Sequence, residues 1–136
     1  MTQEIPPFDD IADDFAFIDD WDEKYRYIID LGRRLPALTD AEHHDEHKVR
    51  GCASQVWLVF DDEPGKIAFR GDSDAAIVKG LVALMVSLFS GQTKADVMAI
   101  DAQAKLAEID LQEHITPQRS NGVASMIKRI KAEASA

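Results

Sequence analysis

Cysteine is almost missing from this chain: Cys52 is the one thiol in 136 residues. A lone cysteine excludes an intramolecular disulfide and a zinc site built on several thiolates. It excludes a C-x-x-C disulfide oxidoreductase, which needs a second thiol, and a scaffold that holds an iron–sulfur cluster on several thiolates. Basic residues are absent from Met1 to Glu23, where nine acids stand, among them Asp9, Asp10, Asp13, Asp14, Asp19 and Asp20. The formal net charge is -10. Phosphate backbones need a basic surface, so nucleic acid is not an expected partner. The acidic stretch reads first as a solvated face, and second as a docking surface for a basic partner. An acidic N-terminus also lacks the basic start of a secretory leader. The longest apolar stretch, Gly80 to Phe89, is shorter than the ~20 residues that span a bilayer. Together these absences predict a cytoplasmic protein without a membrane partner.

What is present suits one domain over residues 1–136, long enough to bury roughly two-thirds of its unfolded surface. Ile11, Phe15 and Ile18 recur at helical spacing within Asp9–Ile18. Asp20 is placed to cap a second helix, with Glu23 three positions on able to reach back. Trp21, Tyr25, Ile28, Ile29 and Leu35 share one face of it, and Pro36 ends it. Residues 37–48 are polar and predict a surface loop. Val56–Phe60 is a continuous apolar run, Asp61–Gly65 a turn, and Lys66–Arg70 alternates, with Ile67 and Phe69 on one side. That pattern is an antiparallel hairpin. A buried helix over Ala75–Phe89 follows, capped by Ser73 or Asp74 and stopped by Gly91. Two short helices are expected at Lys94–Ile100 and Gln103–Ile109. Thr116-Pro117 starts a last helix, with Val123, Met126, Ile127 and Ile130 as its apolar stripe and Asn121-Gly122 inside it. The predicted class is α+β, a small antiparallel sheet packed against several helices.

Cys52 is the first candidate for chemistry, and two readings of it stand side by side. Free cysteines are among the most buried residue types and most are inert. Against that, Gly51 permits a sharp bend just before the thiol, a polar loop precedes it, and Lys48 and Arg50 are close enough in sequence to favour a thiolate. A carrier of a single sulfur atom needs one thiol, and a second nearby would attack the persulfide. The histidines form the second candidate. His43 and His47 would share a face if their segment were helical, a metal pair in principle, though the segment lacks an apolar stripe. A cysteine–histidine hydrolase would use Cys52 as nucleophile and one of His43, His44, His47 or His114 as base. Arg119 reads first as an ion-pair or capping residue; its place against the dipole in the first turn of the last helix leaves a second reading, that an acidic group or an anion accounts for it.

Four segments together resemble one known family. They are W-D-E-K-Y-R-Y-I-I-D-L-G-R-R-L-P (21–36), V-R-G-C-A-S-Q-V-W-L (49–58), G-D-S-D-A-A-I-V-K-G-L (71–81) and H-I-T-P-Q-R-S-N-G (114–122). In this order they are similar to the SufE family of sulfur-acceptor proteins, over nearly the whole chain. The resemblance implies a SufE/IscU-like α+β fold with the active cysteine on an exposed loop beside the sheet. It implies that Cys52 takes sulfur from a SufS-like cysteine desulfurase, stimulates that enzyme, and passes the sulfur to a SufBCD-like iron–sulfur scaffold complex. Pyridoxal phosphate would belong to the desulfurase, so no cofactor and no metal is expected on this chain, which would not itself be an enzyme. Two alternatives stay open: a CsdE-like acceptor serving a related desulfurase, and an adaptor that activates a desulfurase by contact alone. A homodimer is one of the open oligomeric states. The loop before Cys52 is richer in histidine than the family pattern.

Overall fold

The computed structural model describes residues 5–136. Helix α1 (Phe8–Ala16) turns Phe8, Ile11 and Phe15 inward, and α2 (Trp21–Arg33) buries Ile28, Leu31 and Gly32. Asp20 caps α2 as its position predicts, accepting from the Asp22 N–H at 3.1 Å. No reciprocal bond from Glu23 accompanies it among the described residues. Strands β1 (Val56–Asp61) and β2 (Lys66–Ser73) form the expected antiparallel hairpin, with Val56 opposite Ser73 and Phe60 opposite Phe69. Strand β2 runs three residues further than its alternation announced, because Gly71 to Ser73 pair with Val56 to Leu58. Helix α3 (Ala76–Phe89) follows.

After α3, Gly91 reverses the chain at φ +84, a conformation that costs glycine little. The reversal lets Gln92–Thr93 return as β3 along the Lys66–Ile67 end of β2. A two-residue strand has no alternation to read, so the sequence gives no sign of it. Thr93 then caps α4 (Lys94–Ala99), Asp101 caps α5 (Ala102–Ala107), and Thr116 caps α6 (Pro117–Ser135), each side chain accepting a backbone N–H. Asn121 and Gly122 lie inside α6. The architecture is α+β, with sheet order β1-β2-β3.

Helix α3 is the hub. It packs against α2, β2 and α6, and Leu81, Val82, Ala83, Leu84, Met85 and Phe89 are all essentially inaccessible. The α2–α3 crossing is close because glycines meet there: a Cβ on Gly80 would lie 2.3 Å from the Ile28 carbonyl oxygen, and one on Gly32 would lie 2.7 Å from the Gly80 nitrogen. The capping expected for α3 is wrong. Ala75 is the N-cap and makes no side-chain cap bond. Ser73 is still in β2, and its hydroxyl accepts from the Ala75 N–H. The Asp74 carboxylate accepts from the Gln55 N–H at 3.0 Å instead. No helix among the described residues is long and apolar enough to cross a membrane.

Candidate functional site

The segment carrying Cys52 is a tight loop closed at both ends. On the near side the Val49 N–H donates to Val56 O at 2.8 Å, and Lys48 bridges to Trp57. On the far side Gln55 and Asp74 bond reciprocally, the Asp74 N–H donating to Gln55 O while its carboxylate takes the Gln55 N–H. Gly51 makes the turn at φ +90. The loop then lies down on α6. A Cβ on Gly51 would come 2.5 Å from the Ser125 hydroxyl oxygen, and the Cys52 thiol donates to the Gly122 carbonyl with Sγ 3.6 Å from the oxygen. Gly122 and Ser125 are one turn apart on one face of α6.

Cys52 opens into a cavity of about 180 Å³. Val78 and Leu81 of α3 and Met126 of α6 give it an apolar floor, while Thr116, Gln118 and Arg119 at the start of α6 supply its polar side. The thiol is half-buried, more enclosed than the exposed loop the resemblance implied. Burial pushes its pKa up, and no charged group is placed to pull it back. The expectation that Lys48 and Arg50 would favour the thiolate is therefore corrected: neither lines the cavity, and the shift is upward, by burial. Arg119, singled out for its awkward place in the helix, is the cation that does line the cavity. Its backbone N–H is taken by the Thr116 cap, and its side chain makes no salt bridge among the described residues.

The histidine-rich loop has a different task. His43 is held from both sides, with Nε2 2.7 Å from Asp72 Oδ2 and Nδ1 2.9 Å from Thr39 O. Both partners can only accept, so the arrangement fits the doubly protonated ring. The bond to Asp72 raises the His43 pKa. Burial pushes the Asp72 carboxyl up, but bonds from His43, the Ser73 N–H and Lys79 outweigh it and the net shift is down. Next door, Glu42 grips Arg70 through two bonds of 3.1 and 2.6 Å, which hold the Glu42 carboxyl down at about 2. These pairs pin the polar segment 37–48 to β2, although its sequence reads as loose surface. His43 and His47 do not share a helix face; only Asp45–His47 forms a helical turn. Among the described residues no three metal-ligating side chains gather. His114 stacks on Trp21 with ring centroids 3.9 Å apart, and its carbonyl accepts from the Tyr25 hydroxyl. None of the four histidines lines the Cys52 cavity, so the hydrolase reading has no base beside its nucleophile.

Three residues of the site were invisible as site residues in the sequence: Val78, Leu81 and Met126 read as core, which they also are. Gly122 left a signal, since a glycine inside a helix costs stability and so asks for a packing or functional reason.

Comparison with known proteins bears on the family and the fold. Residues 9–134 match the SufE family, described as an Fe-S metabolism associated domain. An uncharacterized SufE-like protein of Rhizobium meliloti (strain 1021) is 49% identical over 130 residues, covering 93% of this chain and 93% of that protein. A second, from Rhizobium etli, is 49% identical over 130 residues, covering 93% and 88%. In fold, the chain is similar to a hypothetical protein from Thermus thermophilus solved in solution, with a TM-score of 0.76, 17% identity and 96% of each chain covered. The chain belongs to the SufE family, whose place is sulfur transfer in Fe–S metabolism.

Proposed function

We propose that Cys52 is the sulfur-accepting residue and that the partner supplying the sulfur is a SufS-like cysteine desulfurase. The Cys52 thiolate attacks the outer sulfur of the desulfurase's cysteine persulfide. A new S–S bond forms on Cys52, the old one breaks, and the desulfurase cysteine leaves as a thiolate, free for another turnover. The loaded sulfur then passes to a SufBCD-like assembly complex. The chain acts in the cytoplasm as one unit spanning 1–136 and carries no cofactor of its own; pyridoxal phosphate stays with the desulfurase.

The observation that carries this reading is the setting of the chain's one thiol: it opens into a cavity with an apolar floor and an arginine on its wall. The apolar side shelters a bound sulfur from stray thiols. Arg119, which also lines the cavity, does not lower the pKa of the resting thiol, but it is the cation that an outer sulfur extending into the cavity would meet. Burial raises the thiol pKa, which slows the resting thiol at neutral pH until a partner engages the loop. The test is the rate of sulfide and alanine formation by a cysteine desulfurase with and without this protein. Wild type is expected to stimulate, and Cys52→Ser to lose the stimulation while melting at the wild-type temperature. Equal stimulation by the mutant would leave only the contact-driven adaptor.

A further inference from the structure

Each glycine in this fold has a visible reason except one. Gly51, Gly65 and Gly91 have left-handed φ, and a Cβ on Gly32, Gly71 or Gly80 would collide with neighbouring atoms at 2.7 Å or less. Gly122 has neither excuse. It sits inside α6 without a left-handed φ, and a Cβ there would meet only Cys52, 3.5 Å from Sγ and 3.9 Å from Cys52 Cβ. Those are ordinary contact distances, so the resting thiol would tolerate an alanine. Glycine in a helix interior is destabilising by ~0.5–1 kcal/mol relative to alanine. A residue that weakens its helix and is not required by the resting packing points to a state in which the missing methyl matters.

We infer that Gly122 reserves the space for the outer sulfur of a Cys52 persulfide, and so decides whether the loaded sulfur is housed or expelled. The inference rests on the sulfur-acceptor reading and deepens it. The hypothetical methyl lies to the side of the Cβ–Sγ bond, since its distances to the two atoms are nearly equal. Divalent sulfur makes its second bond at a similar angle, so an outer sulfur turning about the Cβ–Sγ bond sweeps past that position. An outer sulfur about 2.05 Å from Sγ cannot point straight at the methyl position, where the Gly122 Cα would be too close, but a methyl 3.5 Å from Sγ would narrow the arc of the cavity left to it. Without the methyl, the cavity of about 180 Å³ is well above the roughly 10–15 Å³ that a water-sized atom needs. Cys52, Gly122 and Met126 all line it, so the sulfur would sit against apolar wall and helix backbone.

The test loads wild type and Gly122→Ala by two routes: a cysteine desulfurase with free cysteine, and inorganic polysulfide alone. In the second route the Cys52 thiolate attacks a polysulfide sulfur and a shorter polysulfide anion leaves. Intact mass follows the loss of the added sulfur to dithiothreitol, and thermal melts are taken of the thiol and loaded forms. The expected result has three parts. The variant's thiol form melts at or above the wild-type temperature. Its persulfide is stripped several-fold faster than wild type's. Its loaded form melts below its own thiol form, whereas the two wild-type forms melt together. Equal protection in both proteins would overturn the inference. So would a thiol form of Gly122→Ala that melts well below wild type, because the glycine would then serve the resting fold. A wild type that loads from polysulfide but not from the desulfurase would sink the acceptor reading while leaving the Gly122 comparison intact.

Discussion

Alkylation of Cys52 across a pH range turns its burial into a rate. A solvated cysteine has a pKa near 8.5, so about 3% is thiolate at pH 7. In the folded protein burial raises that pKa with no cation to offset it. Each unit by which the pKa rises cuts the thiolate fraction tenfold, while the thiolate itself becomes roughly threefold more nucleophilic at a Brønsted slope of about 0.45. The net effect is about a threefold slowing per unit at neutral pH, before any loss from restricted access. Iodoacetamide should therefore label the folded protein at least several-fold more slowly at pH 7 than the same chain in denaturant. The pH midpoint should be above that of the denatured chain, and at high pH, where both thiols are ionised, the folded thiolate should be the faster of the two apart from the access factor. A midpoint below that of the denatured thiol would refute the reasoning, since it would mean that Lys48, Arg50 or Arg119 stabilises the thiolate after all.

Two further outcomes test the scaffold under the site. Gly80→Ala should push α2 and α3 apart, because the new methyl would lie 2.3 Å from the Ile28 carbonyl and backbone cannot rotate away; overpacking of this kind costs ~1–3 kcal/mol. At about 2.1 cal/mol/K per residue the melting temperature should fall about 3.5 °C for each kcal/mol; circular dichroism melts that match wild type would contradict the close crossing. The His43–Asp72 clamp is a part-exposed pair worth at most about 1 kcal/mol. Its histidine pKa is raised, so its contribution is complete below about pH 6.5 and is lost as pH rises through the folded His43 pKa. On the acid side the lowered Asp72 pKa keeps the carboxylate's share above about pH 3.9 and loses it as pH falls through the folded value. The stability gap between wild type and His43→Gln, from melts at successive pH values, should be widest between those limits; a gap that widens above neutral pH would rule the clamp out.

Helices and the hairpin were legible because their signals are local. Caps at Asp20 and Thr116, the proline after Thr116, and the alternation of Ile67 and Phe69 each act within a few residues. The misreadings share a cause in distant contacts. Asp74 looks like a cap until Gln55 claims its carboxylate. Segment 37–48 looks loose until Arg70 and Asp72 hold Glu42 and His43. Lys48 and Arg50 look like activators of Cys52 until the turn at Gly51 carries the sulfur towards α6. Cys52 and Arg119 both stood out in the sequence, but nothing in a linear chain says that residues 67 positions apart line one cavity. The four quoted segments supplied that link only through resemblance.

The most direct test of the central claim is intact mass spectrometry of the protein after incubation with a cysteine desulfurase and free cysteine, without reductant, beside Cys52→Ser. A gain of one or more sulfur atoms on wild type and none on the variant is the predicted result. No gain on wild type with the desulfurase active, or an equal gain on the variant, would contradict Cys52 as the acceptor.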